Sequence, residues 1–365
     1  MKIIVDVNHP AHIHYFKNFI WEMQKRGHDI LITASKKEIS YKLLDSYNFK
    51  YESLGSLGSS LLDYIINIPL LDIRMFKVAR KYRPDIFIGF ASIRAAHVSK
   101  IFKKTCINLD DTEHAKWIHR LYVPFSDVIL TPLCFKKDFG IKQIRYNGIT
   151  ESSHLHPRYF KPNPKVLDDL GIKNDDVFFI LRFSSFTATH DLHSLKMGQE
   201  YVIRIIKKLE KHGRIIIFSE SNLDDHLKKY ACTISPEQYH DLLYYSHMYI
   251  GEGSTTAEEA GILGTPSLHF EKLNIDGKSQ GITPFIGVIE ELQNKFGLLY
   301  TFHNEEELIK KVDEFLIDIR QTKKDWNIKK RAFEDYEIDL TQYLADFVER
   351  YDHKNTSNGQ TAENK

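Results

Sequence analysis

The 365-residue chain is long enough for two domains that each bury a core of their own. Its 50 Lys and Arg stand against 49 Asp and Glu, which excludes a global field directed at nucleic acid or a strongly acidic partner and leaves only local charge effects. Cys106, Cys134 and Cys232 fit no zinc or redox spacing, so a disulfide framework is not expected and reduced, buried thiols are.

The chain starts with an apolar run that reaches Asp6 too early for a signal peptide, and no apolar run approaches the roughly 20 residues that span a bilayer. A soluble cytoplasmic protein is expected. Residues 2–7 are of strand length, and residues 13–26 follow with Phe16, Phe19, Ile20 and Met23 spaced for one helical face, closed by Gly27. Residues 29–34 (DILITA) read as a second strand, and strand, helix, strand demands a crossover and hence a parallel sheet. Residues 59–76 (SSLLDYIINIPLLDIRMF) are rich in Leu and Ile but broken by Pro69. They read as a helix packed on this sheet; the alternative is a membrane-surface patch, with the protein peripheral at the inner membrane face. The strand pattern recurs at 85–90 (DIFIGF), 105–109 (TCINL) and 127–131 (DVILT), all nearly apolar, as expected when helices cover both faces of a sheet.

The texture then changes. Residues 151–165 are polar, contain Pro157, Pro162 and Pro164 and have no clear period, which marks a linker. Alternation restarts with strands at 177–182, 214–219 and 248–250 and helices around 198–211 and 236–245. The fold class is therefore α/β, with an N-terminal domain over 1–150 and a C-terminal domain over 166–335. Residues 336–351 are expected to form a helix packing back on the first domain, and the polar residues 352–365 to be disordered.

In an open α/β sheet ligands bind beyond the carboxyl ends of the strands, so the loops after strands carry the chemistry. In residues 251–266 (GEGSTTAEEAGILGTP), Gly251 and Gly253 allow close backbone approach, Ser254 and Thr255 offer hydroxyls, and the first helical turn offers free N–H groups to a diphosphate. Thr255 with Glu258, and Thr256 with Glu259, equally satisfy a capping box. The loop at 8–14 (NHPAHIH) holds His9, His12 and His14. His12, at a helix N-terminus, is kept neutral and suits a general base or merely lines the site, while metal binding is not expected for want of a partner set. The loop at 108–114 (NLDDTEH) brings Asp110, Asp111 and Glu113 to a strand end, as acid–base groups or as a solvated turn with an aspartate N-cap. Residues 182–191 (RFSSFTATHD) follow the first strand of the second half, where Arg182 is placed to meet a phosphate or an ordinary ion-pair partner.

Together these loops resemble the GT-B glycosyltransferases, especially MurG-type N-acetylglucosaminyltransferases and the related non-hydrolysing UDP-GlcNAc 2-epimerases. Through HPAHIHYFKN, DDTEHA and the 251–266 block the chain is also similar to a bacterial and archaeal family of unknown function in that superfamily. The resemblance implies two Rossmann-like domains facing across a cleft, with the donor on the C-terminal domain and the acceptor on the N-terminal one. Counting back from Gly27 places His12 on the MurG-type histidine, with His9 and His14 on the acceptor side; counting back from Gly264 places Glu259 on the glutamate that contacts the ribose diol. Gly253, Ser254 and Thr255 would then lie at the diphosphate, and Gln280 would be a hydroxyl partner for the sugar. The chain departs from MurG in lacking the paired glycines of the N-terminal loop and the glycine-rich loop that opens the second half, where it has Arg182 and Phe183.

The expectation is a metal-independent, cofactor-free glycosyltransferase that moves a sugar from a nucleotide donor, UDP-linked, to a glycan or lipid-linked acceptor in polysaccharide or glycolipid biosynthesis. His12 would take the acceptor proton, with Asp111 and Glu113 as further catalytic groups. The alternatives are a 2-epimerase that shuttles protons through Asp110, Asp111 or Glu113, and a non-catalytic nucleotide-sugar binder.

Overall fold

The computed structural model describes residues 1–37, 39–58, 61–183, 194–195, 197–219, 223–275, 278–281 and 283–360. The 184–191 part of the loop after Arg182 lies outside the described residues. The chain forms two compact units, Met1–Tyr159 with Glu337–Lys365, and Phe160–Tyr336.

The first unit is built on β1 (Lys2–Val7), β2 (Asp29–Ser35), β3 (Tyr51–Gly55), β4 (Ile86–Phe90), β5 (Thr105–Leu109), β6 (Val128–Pro132) and β7 (Gln143–Tyr146). All seven are parallel, in the order β3-β2-β1-β4-β5-β6-β7. The edge strands β3 (YESLG) and β7 (QIRY) lack an apolar run and give no clear strand signal in the sequence. The connecting helices are α1 (Pro10–Lys25), α2 (Ser40–Ser46), α3 (Leu61–Tyr82), α4 (Ile93–Phe102), α5 (Lys116–Tyr122) and α6 (Ser152–Leu155). One 22-residue helix, α3, runs through Pro69, where the sequence suggested a break; the ring removes one backbone bond but leaves the apolar face on the sheet intact.

Alternation along β1 sorts its side chains by face. Ile3, Val5 and Val7 join the core under α1, and Ile4 joins the core under α3 and α4. Asp6 shares the face of Ile4 and is fully buried at the carboxyl edge. The chain order reverses between β1 and β4, so the switch point where such sheets bind ligands is flanked by the loops after these two strands.

The second unit has β8 (Phe178–Phe183), β9 (Ser194–Leu195), β10 (Arg214–Ser219), β11 (Met248–Gly251), β12 (Ser267–Phe270), β13 (Lys272–Ile275), β14 (Lys278–Gln280) and β15 (Tyr300–Phe302). A parallel sheet runs β10-β8-β11-β12-β15, beside a small antiparallel sheet β14-β13-β9. Its helices are α7 (Lys165–Asp169), α8 (Gln199–Leu209), α9 (Tyr239–Tyr245), α10 (Ser254–Ile262), α11 (Gly287–Glu291), α12 (Glu305–Leu316) and α13 (Ile319–Glu334). Here the order reverses between β8 and β11.

The final helix, α14 (Leu340–Gln360), belongs to the first unit. Leu340, Leu344, Ala345 and Val348 complete the core under α1. Arg26 adds ion pairs to Asp346 at 2.8 Å and Glu349 at 2.7 Å. The helix continues through the polar residues 352–360, since propagation from an anchored turn needs no new nucleus. No described helix is long and apolar enough to cross a membrane. Leu344→Ala is expected to cost about 2–5 kcal/mol through the cavity it leaves under α1, read as a lowered denaturation midpoint.

Candidate active site

At the switch point of the first unit, His9 caps α1 by accepting the Ala11 N–H on Nδ1 at 3.2 Å, with Pro10 at the first helical position. One turn on, His12 Nδ1 accepts the Asn8 N–H at 3.3 Å, and its ring lies 4.8 Å from Phe90 at the end of β4. Burial, reinforced by the nearby positive charge of His9, Lys37 and Arg94, holds this imidazole well below the usual histidine range, so the ring is neutral. In a neutral ring whose Nδ1 accepts, the proton sits on Nε2. In this tautomer Nε2 is a donor. His14 is turned into the core, its Nδ1 3.2 Å from the Tyr47 hydroxyl and its ring stacked 5.3 Å from His154. The ring nitrogens of His9, His12 and His14 thus serve three different neighbourhoods.

Beneath this loop lies a network that the sequence reading missed. Arg94, in the first turn of α4, holds Asp6 with Nη2 at 2.7 Å and Nε at 2.9 Å, both side chains buried. Asp6 also accepts from Thr33 and Ser92, each at 2.6 Å, and from Asn8 Nδ2 at 3.2 Å; Arg94 Nη1 donates to Ser35 Oγ at 2.7 Å. The visible signal was a lone aspartate inside the apolar run KIIVDV.

After β5 the two neighbouring aspartates divide. Asp110 is fully buried, accepts the Thr112 N–H at 2.9 Å and the Tyr122 hydroxyl, and lies 2.9 Å from His119 Nε2. Neither aspartate caps α5, whose N-cap is Ala115. Asp111 accepts the Thr112 hydroxyl at 3.1 Å. Desolvation, with the adjacent charge of Asp110 and Glu113, pushes its carboxyl from 3.8 up to about 7, against the opposing hydrogen bonds of Thr150 and Thr112. Such a group exchanges a proton near neutrality. Glu113 is buried and accepts the Lys136 N–H at 3.2 Å.

In the second unit, Gly251 ends β11 and Gly253, at φ +118°, precedes α10. The helix starts at Ser254 with no side-chain cap, so Thr255 and Thr256 lie inside it. Neither of the two capping boxes that the spacing allows forms, and Glu258 is buried in the second turn. The first turn holds no acidic residue, and Ser254 and Thr255 remain partly exposed around the uncapped N–H groups. Arg182, paired in register with Gly251 at the end of β8, donates to the Thr256 hydroxyl. Glu259 is buried, its Oε1 2.9 Å from His240 Nε2 of α9. Gln280 lies in β14, opposite Leu273 and partly buried. His269, which the sequence reading passed over, pairs with Gly251 in register and is buried at the end of β12, 3.4 Å from Glu271.

Parallel sheets of seven and five strands, each with a polar loop cluster at its switch point, are the paired Rossmann-like domains of the GT-B fold. The solved UDP-GlcNAc 2-epimerase from Neisseria meningitidis bound to UDP-GlcNAc is similar with a TM-score of 0.62 and 16% identity, covering 96% of this chain and 99% of that one. The Acinetobacter baumannii MurG structure is similar with a TM-score of 0.56 and 12% identity, over 96% and 100% of the two chains. The chain belongs to the DUF354 family of proteins of unknown function, which it matches over residues 1–324. A relative by sequence is the uncharacterized protein MJ0665 of Methanocaldococcus jannaschii, 26% identical over 284 residues, 73% of this chain and 81% of that protein.

Two outcomes check this geometry. Folding binds a proton at Asp111 between its unfolded and folded values, so Asp111 subtracts stability as pH rises from about 4 to about 7. Asp111→Asn should therefore gain melting temperature over the parent progressively across that window, with no further gain above it. At Gly251 an added Cβ would lie 2.3 Å from the Tyr249 hydroxyl and 2.7 Å from the Arg182 carbonyl, so Gly251→Ala should lose about 1–3 kcal/mol in denaturant titration.

Proposed function

We propose that this protein is a nucleotide-sugar-dependent glycosyltransferase whose second unit binds a UDP-linked donor. The observation that carries the reading is the uncapped start of α10 at the switch point between β8 and β11, free of acidic residues in its first turn and adjoining the Arg182 guanidinium. Backbone N–H groups of Ser254, Thr255 and Thr256, with the positive end of the helix dipole, suit a diphosphate and stabilise the charge that develops as it departs. Gly253 lets the phosphate oxygens approach the backbone. Glu259, one turn further in, is far enough from the phosphates to accept the ribose hydroxyls, with His240 holding the carboxylate in place. The similarity in fold to the Neisseria meningitidis 2-epimerase bound to UDP-GlcNAc supports the nucleotide.

The first unit contributes the proton chemistry. Asp111, with its carboxyl near 7, takes the acceptor hydroxyl proton, and His12 donates from Nε2 to a substrate oxygen. Deprotonated Asp111 is the active form, so the rate should rise with pH through about 7.

A second reading, 2-epimerisation of a UDP-sugar, is favoured by the grouping of Asp110, Asp111 and Glu113 at one strand end and by the fold similarity to 2-epimerases. Incubation with UDP-GlcNAc in deuterated water separates the two: deuterium at C2 of the sugar selects epimerisation, and its absence with UDP release in the presence of an acceptor selects transfer. Binding is tested apart from turnover by thermal shift with UDP, GDP, CMP and dTDP sugars. UDP sugars should give the largest rise, and Glu259→Ala should weaken UDP by about tenfold, the loss of a charged hydrogen-bond acceptor. Unchanged affinity in that variant would remove Glu259 from the ribose.

A further inference from the structure

Behind Asp111 the first unit holds a line of polar side chains that runs from Asp110 toward solvent and that the proposed chemistry leaves unused. His119 and Tyr122 stand three residues apart on α5, so both meet Asp110 from one side of that helix. Tyr122 donates its hydroxyl to Asp110 Oδ2, Thr112 donates its N–H to Oδ1 at 2.9 Å, and His119 Nε2 lies 2.9 Å from Oδ2. Asp110, His119 and Tyr122 are all buried.

On its other side His119 meets Lys137, whose Nζ lies 2.9 Å from Nδ1. An ammonium has only donors to offer, so Nδ1 accepts and the imidazole proton sits on Nε2, the atom beside Asp110. The approach of Nε2 to Oδ2 lies off the line of a hydrogen bond, and Nε2 has no hydrogen-bond partner among the described residues. The orientation of the ring therefore rests on Lys137 and on Phe139, which packs against it edge-on at 5.1 Å. Lys137 is in turn fixed through its backbone: its carbonyl accepts from Gln143 Nε2 at 3.1 Å and Arg145 Nη2 at 2.8 Å, both on β7. The Lys137 side chain is only partly exposed. Burial draws its ammonium below the usual lysine range, against the pull of Asp110 and with Lys116 adding to the decrease, while Glu113 holds it up.

The carboxyl of Asp111 faces Asp110 and Glu113, the hydroxyls of Thr112 and Thr150, and the phenols of Tyr122 and Tyr146. Burial holds both tyrosines above their usual range, so near neutrality the charges that Asp111 meets are those of Asp110, the stronger influence, and Glu113. Lys137 is a cation that faces both of these carboxylates. We propose that Lys137 and His119 are positioning residues for Asp111: Lys137 orients the imidazole, the imidazole and Tyr122 fix the Asp110 carboxylate, and that fixed charge decides how readily Asp111 gives up its proton. Asp110 is then a stationary charge and Asp111 the group that exchanges. The inference deepens the proposed role of Asp111 and rests on that reading for its catalytic consequence alone.

The test is the stability gain of Asp111→Asn, measured against pH in the parent, in Lys137→Met and in Lys137→Arg. A difference between paired variants cancels any general loss of stability from the background substitution. Folding takes up a proton at Asp111, so the gain builds as pH rises to the folded value of that carboxyl and then levels off. Removing the Lys137 charge leaves the carboxylates less compensated and favours the protonated form, which should carry the levelling point upward by roughly one pH unit. Lys137→Arg keeps both charge and donor and should restore the parent profile. His119→Phe keeps a ring against Phe139 but loses both nitrogens, and should move the profile as Lys137→Met does. A profile that stays in place or moves downward in Lys137→Met, or that Lys137→Arg fails to restore, overturns the proposal. Turnover is read separately, with a UDP-sugar and an acceptor: its rise with pH should move upward in Lys137→Met by the same amount. No turnover in the parent would remove the transferase reading while the stability profiles still decide this one, and a rate profile that stays in place while the stability profile moves would overturn the catalytic consequence.

Discussion

A carboxylate and a guanidinium withdrawn from water, Asp6 and Arg94, set the conditions for everything at the carboxyl edge of the first unit. Burying either charge alone costs several kcal/mol, so the pair persists only because each oxygen and nitrogen is occupied. The occupants come from β2, the start of α4 and the loop before α1: Thr33, Ser35, Ser92 and Asn8. Asn8, held by its side chain in this network, presents the backbone N–H that fixes the His12 tautomer. The tautomer of His12 is thus tied to this ion pair through Asn8. The same carboxylate orders Ser92, the N-cap of α4, so the positions of the helix and of the loop are not independent.

The second unit handles charge in the opposite manner. Where Asp6 and Arg94 saturate one another, the first turn of α10 is left with partial positive charge and no side-chain acceptor. The acidic residues nearest in sequence are directed elsewhere. Glu252 accepts the Met197 N–H at 2.8 Å, Glu259 faces His240, and Glu258 is buried one turn on. A helix start kept clear of carboxylates, in a sequence that supplies three of them within eight residues, suits the anionic ligand of the proposed function.

The central strands were legible because helices cover both faces, which forces near-continuous apolar runs such as IFIGF and TCINL. The edge strands β3 and β7 were not, since most of their residues are exposed or only partly buried and no apolar run survives. The glycine-rich stretch at 251–266 was correctly located after a strand, but the capping boxes proposed within it failed. The helix begins earlier than a Thr255 cap requires, at a point set by the positive φ of Gly253, and local spacing carries no information about that choice. His12 and Asp111 were both found as candidates, yet their protonation depends on Asn8, Arg94, Thr150 and Asp110, groups brought together only by the folded sheet. Arg94 is 88 residues from Asp6, and no periodicity reports a pairing of that range.

The return of the chain to the first unit as α14 has a bearing on how the molecule is made. The second unit, Phe160–Tyr336, is in effect an insertion between two segments that build a single core. A ribosome releases α1 and its sheet long before Leu340, Leu344 and Val348 exist to cover them. The apolar side of α1 must wait, exposed, through the synthesis of the entire intervening unit. The order of completion is therefore inverted relative to the order of translation, and the nascent first unit is the species with most to gain from a chaperone.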